Sequence, residues 1–138
     1  MKTCSVKTIL IACLLSLLWA GSSAAADGKT RSEHIGFLYP AGVDVAGYTS
    51  ETRIRDNVYR YYTFGFPSLA AIGFSYYSRY DGNGFIAMIG FALGPGANGA
   101  IGYQLRFDKL QYLKLGLGFA QGIAYSGVFP AFSYEHRY

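Results

Sequence analysis

The chain has 138 residues, of which 51% are hydrophobic, 17% aromatic and only 14% charged. Its formal charge of +4 is spread without a basic stripe or cluster, which sets nucleic-acid binding aside. Both cysteines, Cys4 and Cys13, fall among the first 26 residues, so no disulfide framework is available to the rest.

The N-terminus reads as a cleaved secretory signal over residues 1–26. Lys2 and Lys7 form a positive n-region, and Ile9 to Ala20 an apolar run of h-region length. Ser23, Ala24, Ala25 and Ala26 are the small residues that a signal peptidase needs before Asp27. The run is too short to span a bilayer as a helix, which takes roughly 20 apolar residues. Leu10-Ile11-Ala12-Cys13 has the outline of a lipobox, but Leu14, Leu15, Leu17, Leu18 and Trp19 carry the apolar run past the cysteine. Without Lys2 and Lys7, ten basic residues stand against eight acidic ones, a net of +2.

Residues 27–33 are polar and read as a flexible lead-in to a single domain over 34–138. No apolar stripe at helical spacing is long enough for a helix; the segments alternate with period two between turn residues. The stretch from His34 to Tyr48 holds two short strands around Pro40-Ala41-Gly42. Residues 57–66 place Val58, Tyr62, Phe64 and Phe66 on one face and Tyr59, Tyr61, Thr63 and Gly65 on the other. Arg60 then falls on the apolar face, from which it can snorkel. Residues 70–80 place Ile72, Phe74, Tyr76 and Tyr80 outward and Ala71, Gly73, Ser75, Tyr77 and Arg79 inward, before a hairpin signal at Asp81-Gly82-Asn83-Gly84.

Residues 85–93 have an apolar face of Phe85, Ala87, Ile89, Phe91 and Leu93, followed by the turn-rich 94–99. Residues 100–107 alternate Ile101, Tyr103, Leu105 and Phe107 with Ala100, Gly102, Gln104 and Arg106. After the turn Asp108-Lys109-Leu110, residues 111–121 alternate Leu113, Leu115, Leu117 and Phe119 with Tyr112, Lys114, Gly116, Gly118 and Ala120. The last strand places Val128, Pro130, Phe132, Tyr134, His136 and Tyr138 on one face and Phe129, Ala131, Ser133, Glu135 and Arg137 on the other.

Successive strand side chains point to opposite faces, so the segments have one apolar, aromatic face and one mostly small or charged face, except 85–93, whose second face of Ile86, Met88, Gly90 and Ala92 is less polar. A soluble barrel hides the apolar face inside; here the charges are too few to cover an exterior. The pattern is that of a closed antiparallel up-and-down transmembrane β-barrel of about eight strands, with a lumenal polar network of Arg79, Arg106, Lys114, Glu135 and Arg137. Glu135 pairs with Arg106, Lys114 or Arg137, because a charge in a narrow lumen is costly alone. Tyr59, Tyr61 and Tyr77 fill the lumen, and the other rings form interfacial girdles.

Over nearly all of 34–138 this pattern resembles the small outer-membrane β-barrels of Gram-negative bacteria. In that class the last strand ends on an aromatic residue that the barrel-assembly machinery reads. Phe132, Tyr134 and Tyr138 fit that signal, and His136 departs from it. The resemblance implies an outer-membrane location, contact with outer-membrane lipids including lipopolysaccharide, and a structural or membrane-integrity role without an open pore; an oligomer is compatible with it.

Two alternatives stand beside it. One is a soluble periplasmic barrel binding a small apolar ligand. The other is a lipid-A-modifying outer-membrane enzyme. Barrels resembling lipid A deacylases carry a His-x-Ser pair with an acidic partner, and no His-x-Ser-Asn occurs here. Ser133 and His136 lie on opposite faces of one strand and cannot act as nucleophile and base. The two histidines, His34 and His136, lack metal-ligand spacing, and Gly82-x-Gly84 and Gly94-x-Gly96 lack the features of a phosphate loop. No catalytic, metal or cofactor residue is expected.

Overall fold

The computed structural model describes residues 28–37, 44–94, 96–122 and 126–138. The signal expected over 1–26 and the turn expected at Pro40-Ala41-Gly42 lie outside these residues. Eight antiparallel strands form a closed barrel in chain order: β1 (Lys29–Phe37), β2 (Ala46–Arg55), β3 (Val58–Phe66), β4 (Leu69–Tyr77), β5 (Gly84–Ala92), β6 (Gly96–Arg106), β7 (Gln111–Gln121) and β8 (Ser126–Arg137). β1 closes on β8, with Ser32 opposite Arg137 and Phe37 opposite Phe132. Closure leaves no strand edge exposed.

The expected strands from residue 57 onward are present, with ends moved by a few residues. The first hairpin is longer than expected. β1 starts at Lys29, so residues 29–33, read as lead-in, are strand, and β2 runs to Arg55. Thr49, Ser50, Glu51, Thr52 and Arg53 put polar groups on both faces, so hydropathy shows no contrast there. Pairing to β1 and β3 supplies the order instead. Asp56-Asn57 joins β2 to β3, with Asn57 at φ 64°, a conformation that asparagine tolerates.

The N-terminal end of β1 and the C-terminal end of β8 share one rim with the connections 56–57, 78–83 and 107–110 (the terminal rim). The C-terminal ends of β1, β3, β5 and β7 lie at the opposite, distal rim with the connection 67–68. At the distal rim Asp44 tethers the β3–β4 turn: its Oδ1 accepts from the Ser68 amide at 2.8 Å and the Ser68 hydroxyl at 2.6 Å.

The two faces are sorted opposite to a water-soluble barrel. Phe66, Leu93 and Val128 are 72%, 68% and 73% exposed on the outer wall. Inside, Glu51, Gln104, Lys114 and Glu135 are buried with Tyr61, Tyr77 and several alanines. The lumen is the core, and Gly and Ala make it narrow. Tyr61 shows how it is filled. Its ring lies across Gly73, its direct partner on β4, and Gly90, the partner of Gly73 on β5. A Cβ at either glycine would collide with the end of that ring.

Candidate functional site

The densest chemistry lies inside the barrel near the terminal rim. Parity along β7 and β8 turns Lys114, Glu135 and Arg137 inward together, and pairing places Ser133 opposite Lys114 and Glu135 opposite Tyr112. Glu135 is ion-paired to Lys114 through Oε2, and its Oε1 accepts from Arg137 Nε at 2.6 Å. The Arg137 guanidinium is held between two rings, its carbon 4.1 Å from the Tyr80 centroid and 4.0 Å from that of Tyr112. Its remaining nitrogens donate to the Tyr80 carbonyl at 2.6 Å and to Gln104 Oε1 at 2.8 Å. Stacking and a fork of donors are what arginine does better than lysine.

A second carboxylate completes the cluster. Glu51 on β2 accepts three hydroxyl hydrogen bonds of 2.8 Å, from Ser75, Tyr77 and Tyr80. Lys114 Nζ joins the two halves by donating to the Tyr77 hydroxyl at 3.1 Å. Two cations therefore face two carboxylates, and the cluster is neutral overall. Such balance is required, since a buried charge left without its partner costs several kcal/mol. Burial and the Glu51 carboxylate push the Tyr80 hydroxyl well above its usual pKa, so it remains a donor.

The structure corrects three expected positions. Arg79 lies past the end of β4 in the 78–83 connection and is exposed rather than lumenal. Arg106 is also exposed; it holds rim carbonyls, with Nε on Asp108 at 2.9 Å and Nη2 on Lys109 at 3.2 Å, and does not pair with Glu135. Tyr80, expected on the outer face, turns inward and stacks on Tyr59 with centroids 4.1 Å apart. Two of these, Arg79 and Tyr80, follow from one event. Alternation stops at Tyr77, and the chain bends over the rim instead of extending three residues further. Gln104 Nε2 holds that bend by donating to the Tyr80 and Gly82 carbonyls at 3.0 and 2.9 Å.

Glu51 and the inward turn of Tyr80 had no signal in the local pattern. Glu51 sits in the stretch that is polar on both faces, and Tyr80 follows the bend. Phe132 and Tyr134 are exposed on the outer wall, and the Tyr138 amide donates to the Arg31 carbonyl at 2.9 Å. Arg60 keeps its outward place, with its guanidinium carbon 5.3 Å from the Tyr62 centroid.

Farther inside, Thr49 bridges Thr63 at 2.8 Å and His34 Nδ1 at 3.4 Å. His34 faces the lumen, whereas His136 is on the outer wall, so the two imidazoles share no site. Ser133 also faces the lumen, and no protein group hydrogen-bonds its hydroxyl among the described residues. The cluster thus has the chemistry of a plug. Its charges are satisfied by each other, and its hydroxyls from Ser75, Tyr77 and Tyr80 are committed to Glu51. No family model, curated protein or solved structure matches the chain.

Proposed function

We propose that this protein is a small transmembrane β-barrel of a Gram-negative outer membrane, with a structural or membrane-integrity role and no open pore. One observation carries the reading. The barrel's exposed wall bears mainly Phe, Leu, Ile, Val and Tyr, while Glu51, Lys114, Glu135 and Arg137 are buried inside, the sorting expected where the outside meets lipid. The neutral Glu51–Lys114–Glu135–Arg137 cluster supports a closed lumen, because ions and water would have to displace stacked and fully bonded groups. On this reading residues 1–26 direct export, and the Phe132, Tyr134 and Tyr138 face of β8 is what the assembly machinery engages.

The test is a gel of urea-washed outer membranes, with samples run unboiled and boiled. The expected result is a band that resists the wash and shifts on boiling. Release into the wash without a heat shift would falsify the reading and favour a soluble or peripheral β-domain.

A further inference from the structure

The outer wall is not uniform. Along its terminal half, β4 to β7 present Phe74, Tyr76, Phe85, Tyr103, Leu113 and Leu115, none of them charged. The wall of β1 to β3 at the same level is different. Register places Lys29, Thr52 and Arg60 side by side in one row, and Arg31, Ser50 and Tyr62 in the next row inward. Alternation turns all six outward: Lys29 and Arg31 are exposed, and Thr52, Ser50 and Arg60 half-buried. Neighbouring strands lie about 4.8 Å apart, and successive outward residues about 6.6 Å apart along a strand. The three cationic side chains therefore reach a common point.

No carboxylate forms an ion pair with Lys29, Arg31 or Arg60 among the described residues. Arg60 Nε is shielded from water and has no hydrogen-bond acceptor. Glu33, the one acidic residue in the adjoining row, is exposed and leaves the patch with three cations against one carboxylate. A donor-rich patch with unmet positive charge thus interrupts an apolar belt. One row farther toward the distal rim the same wall carries a groove of about 500 Å³, flanked by Ile35, Ala46, Tyr48 and Phe64 together with Glu33, the one charged side chain on it. Cationic groups and hydroxyls below an apolar groove are complementary to one amphipathic molecule.

We propose that the β1–β3 wall is a binding site for an anionic glycerophospholipid. Lys29, Arg31 and Arg60 hold its phosphate, with the Ser50 and Thr52 hydroxyls as further donors, and one acyl chain lies in the groove by Ile35 and Phe64. The terminal rim of such a barrel faces the periplasm, so the lipid belongs to the inner, glycerophospholipid leaflet. A second copy of the chain is the poorer occupant. A two-fold contact puts a patch against itself, which here would oppose like charges in an apolar medium. The inference rests on the membrane-barrel reading above.

The experiment separates the two. The full barrel is first inserted into phosphatidylcholine vesicles, and its heat shift is read on a gel. It is then released from vesicles containing equal parts phosphatidylcholine and phosphatidylglycerol, and the retained lipids are counted by native mass spectrometry. Preferential retention of phosphatidylglycerol is expected. Arg60→Gln should lower that preference roughly fivefold, the effect of one cation near an anionic lipid surface. The triple variant Lys29→Gln/Arg31→Gln/Arg60→Gln should abolish it.

Equal preference in the heat-shifted variants overturns the site while leaving the barrel reading intact; failure of the wild type to insert overturns both. Displacement of the bound lipid by equimolar lipopolysaccharide, or a lipid-free dimer in the spectrum, overturns the choice of occupant. Should the triple variant not fold, salt decides with the wild type, since retention unmoved by ionic strength contradicts a phosphate contact at this exposed wall.

Discussion

The two halves of the lumen are built by different means. Toward the terminal rim, the space is filled by long side chains whose charges cancel: Glu51, Lys114, Glu135 and Arg137, with Tyr77, Tyr80 and Tyr112 around them. Toward the distal rim, it is filled mainly by removing side chains. Ala71, Ala92, Ala100, Ala120 and Ala131 are buried there, and Tyr61 spans the glycine pair between the halves. The first half depends on electrostatic balance, the second on volume. Loss of one partner should therefore be the damaging change near the terminal rim, and gain of atoms the damaging change near the distal rim.

The largest effect is expected from Glu135→Ala, which strands Lys114 and Arg137 in the lumen. Removal of one partner from a buried ion pair costs about 3–5 kcal/mol, so the urea midpoint of the barrel in micelles should fall sharply. A midpoint within error of wild type would mean that water reaches this cluster and that the lumen is open. The matching change in the other half is Ala92→Leu, opposite Ala71 and Gly96. Overpacking costs about 1–3 kcal/mol, measured in the same unfolding assay. A neutral result there would reveal free volume in the distal half.

A subtler pair of substitutions probes the boundary. The Tyr61 hydroxyl is buried without a protein partner, so Tyr61→Phe should be close to neutral. Gly90→Ala should destabilise by collision with that hydroxyl and with the Ile72 carbonyl. The double variant should recover part of the loss, with a coupling of about 0.5–3 kcal/mol for residues in contact. Strict additivity would show that the ring does not lie across Gly90.

Tyr80→Phe removes one of three hydroxyl donors to Glu51 and should cost about 1 kcal/mol. An unchanged midpoint would place Tyr80 outside the cluster. The smallest effect is expected at the rim. Arg53 and Asp56 pair at 2.9 Å with side chains 50% and 93% exposed, and Asp56→Asn should change stability by less than about 0.5 kcal/mol. A large loss there would show that the turn, rather than the lumen, limits the fold.

Most of the barrel was legible in the chain, since one property, the side chain of every second residue, decides which face looks outward. The strands from β3 to β8 have a hydropathic contrast between their faces, and Lys114, Glu135 and Arg137 could be placed inside on that basis. The contrast vanishes over Thr49–Arg53, so β2 and the role of Glu51 were hidden. Arg106 ends β6 and reaches the rim carbonyls instead of Glu135, and Arg79 and Tyr80 were misplaced for a related reason. Parity holds only while a strand continues, and where it stops is set by what waits beyond the rim.

Sequence alone determined the strand type and, from β3 onward, most of the inward and outward partition, because these rest on local steric alternation. Only the tertiary structure decided the contacts across strands. The pairing of β1 with β2 and of β2 with β3 brought Lys29 and Arg31 onto one wall with Arg60. Packing over the rim brought Tyr80 from a connecting segment to Glu51 on a distant strand. Such pairings depend on register and on the shape of the lumen, which belong to the assembled barrel rather than to any stretch of chain.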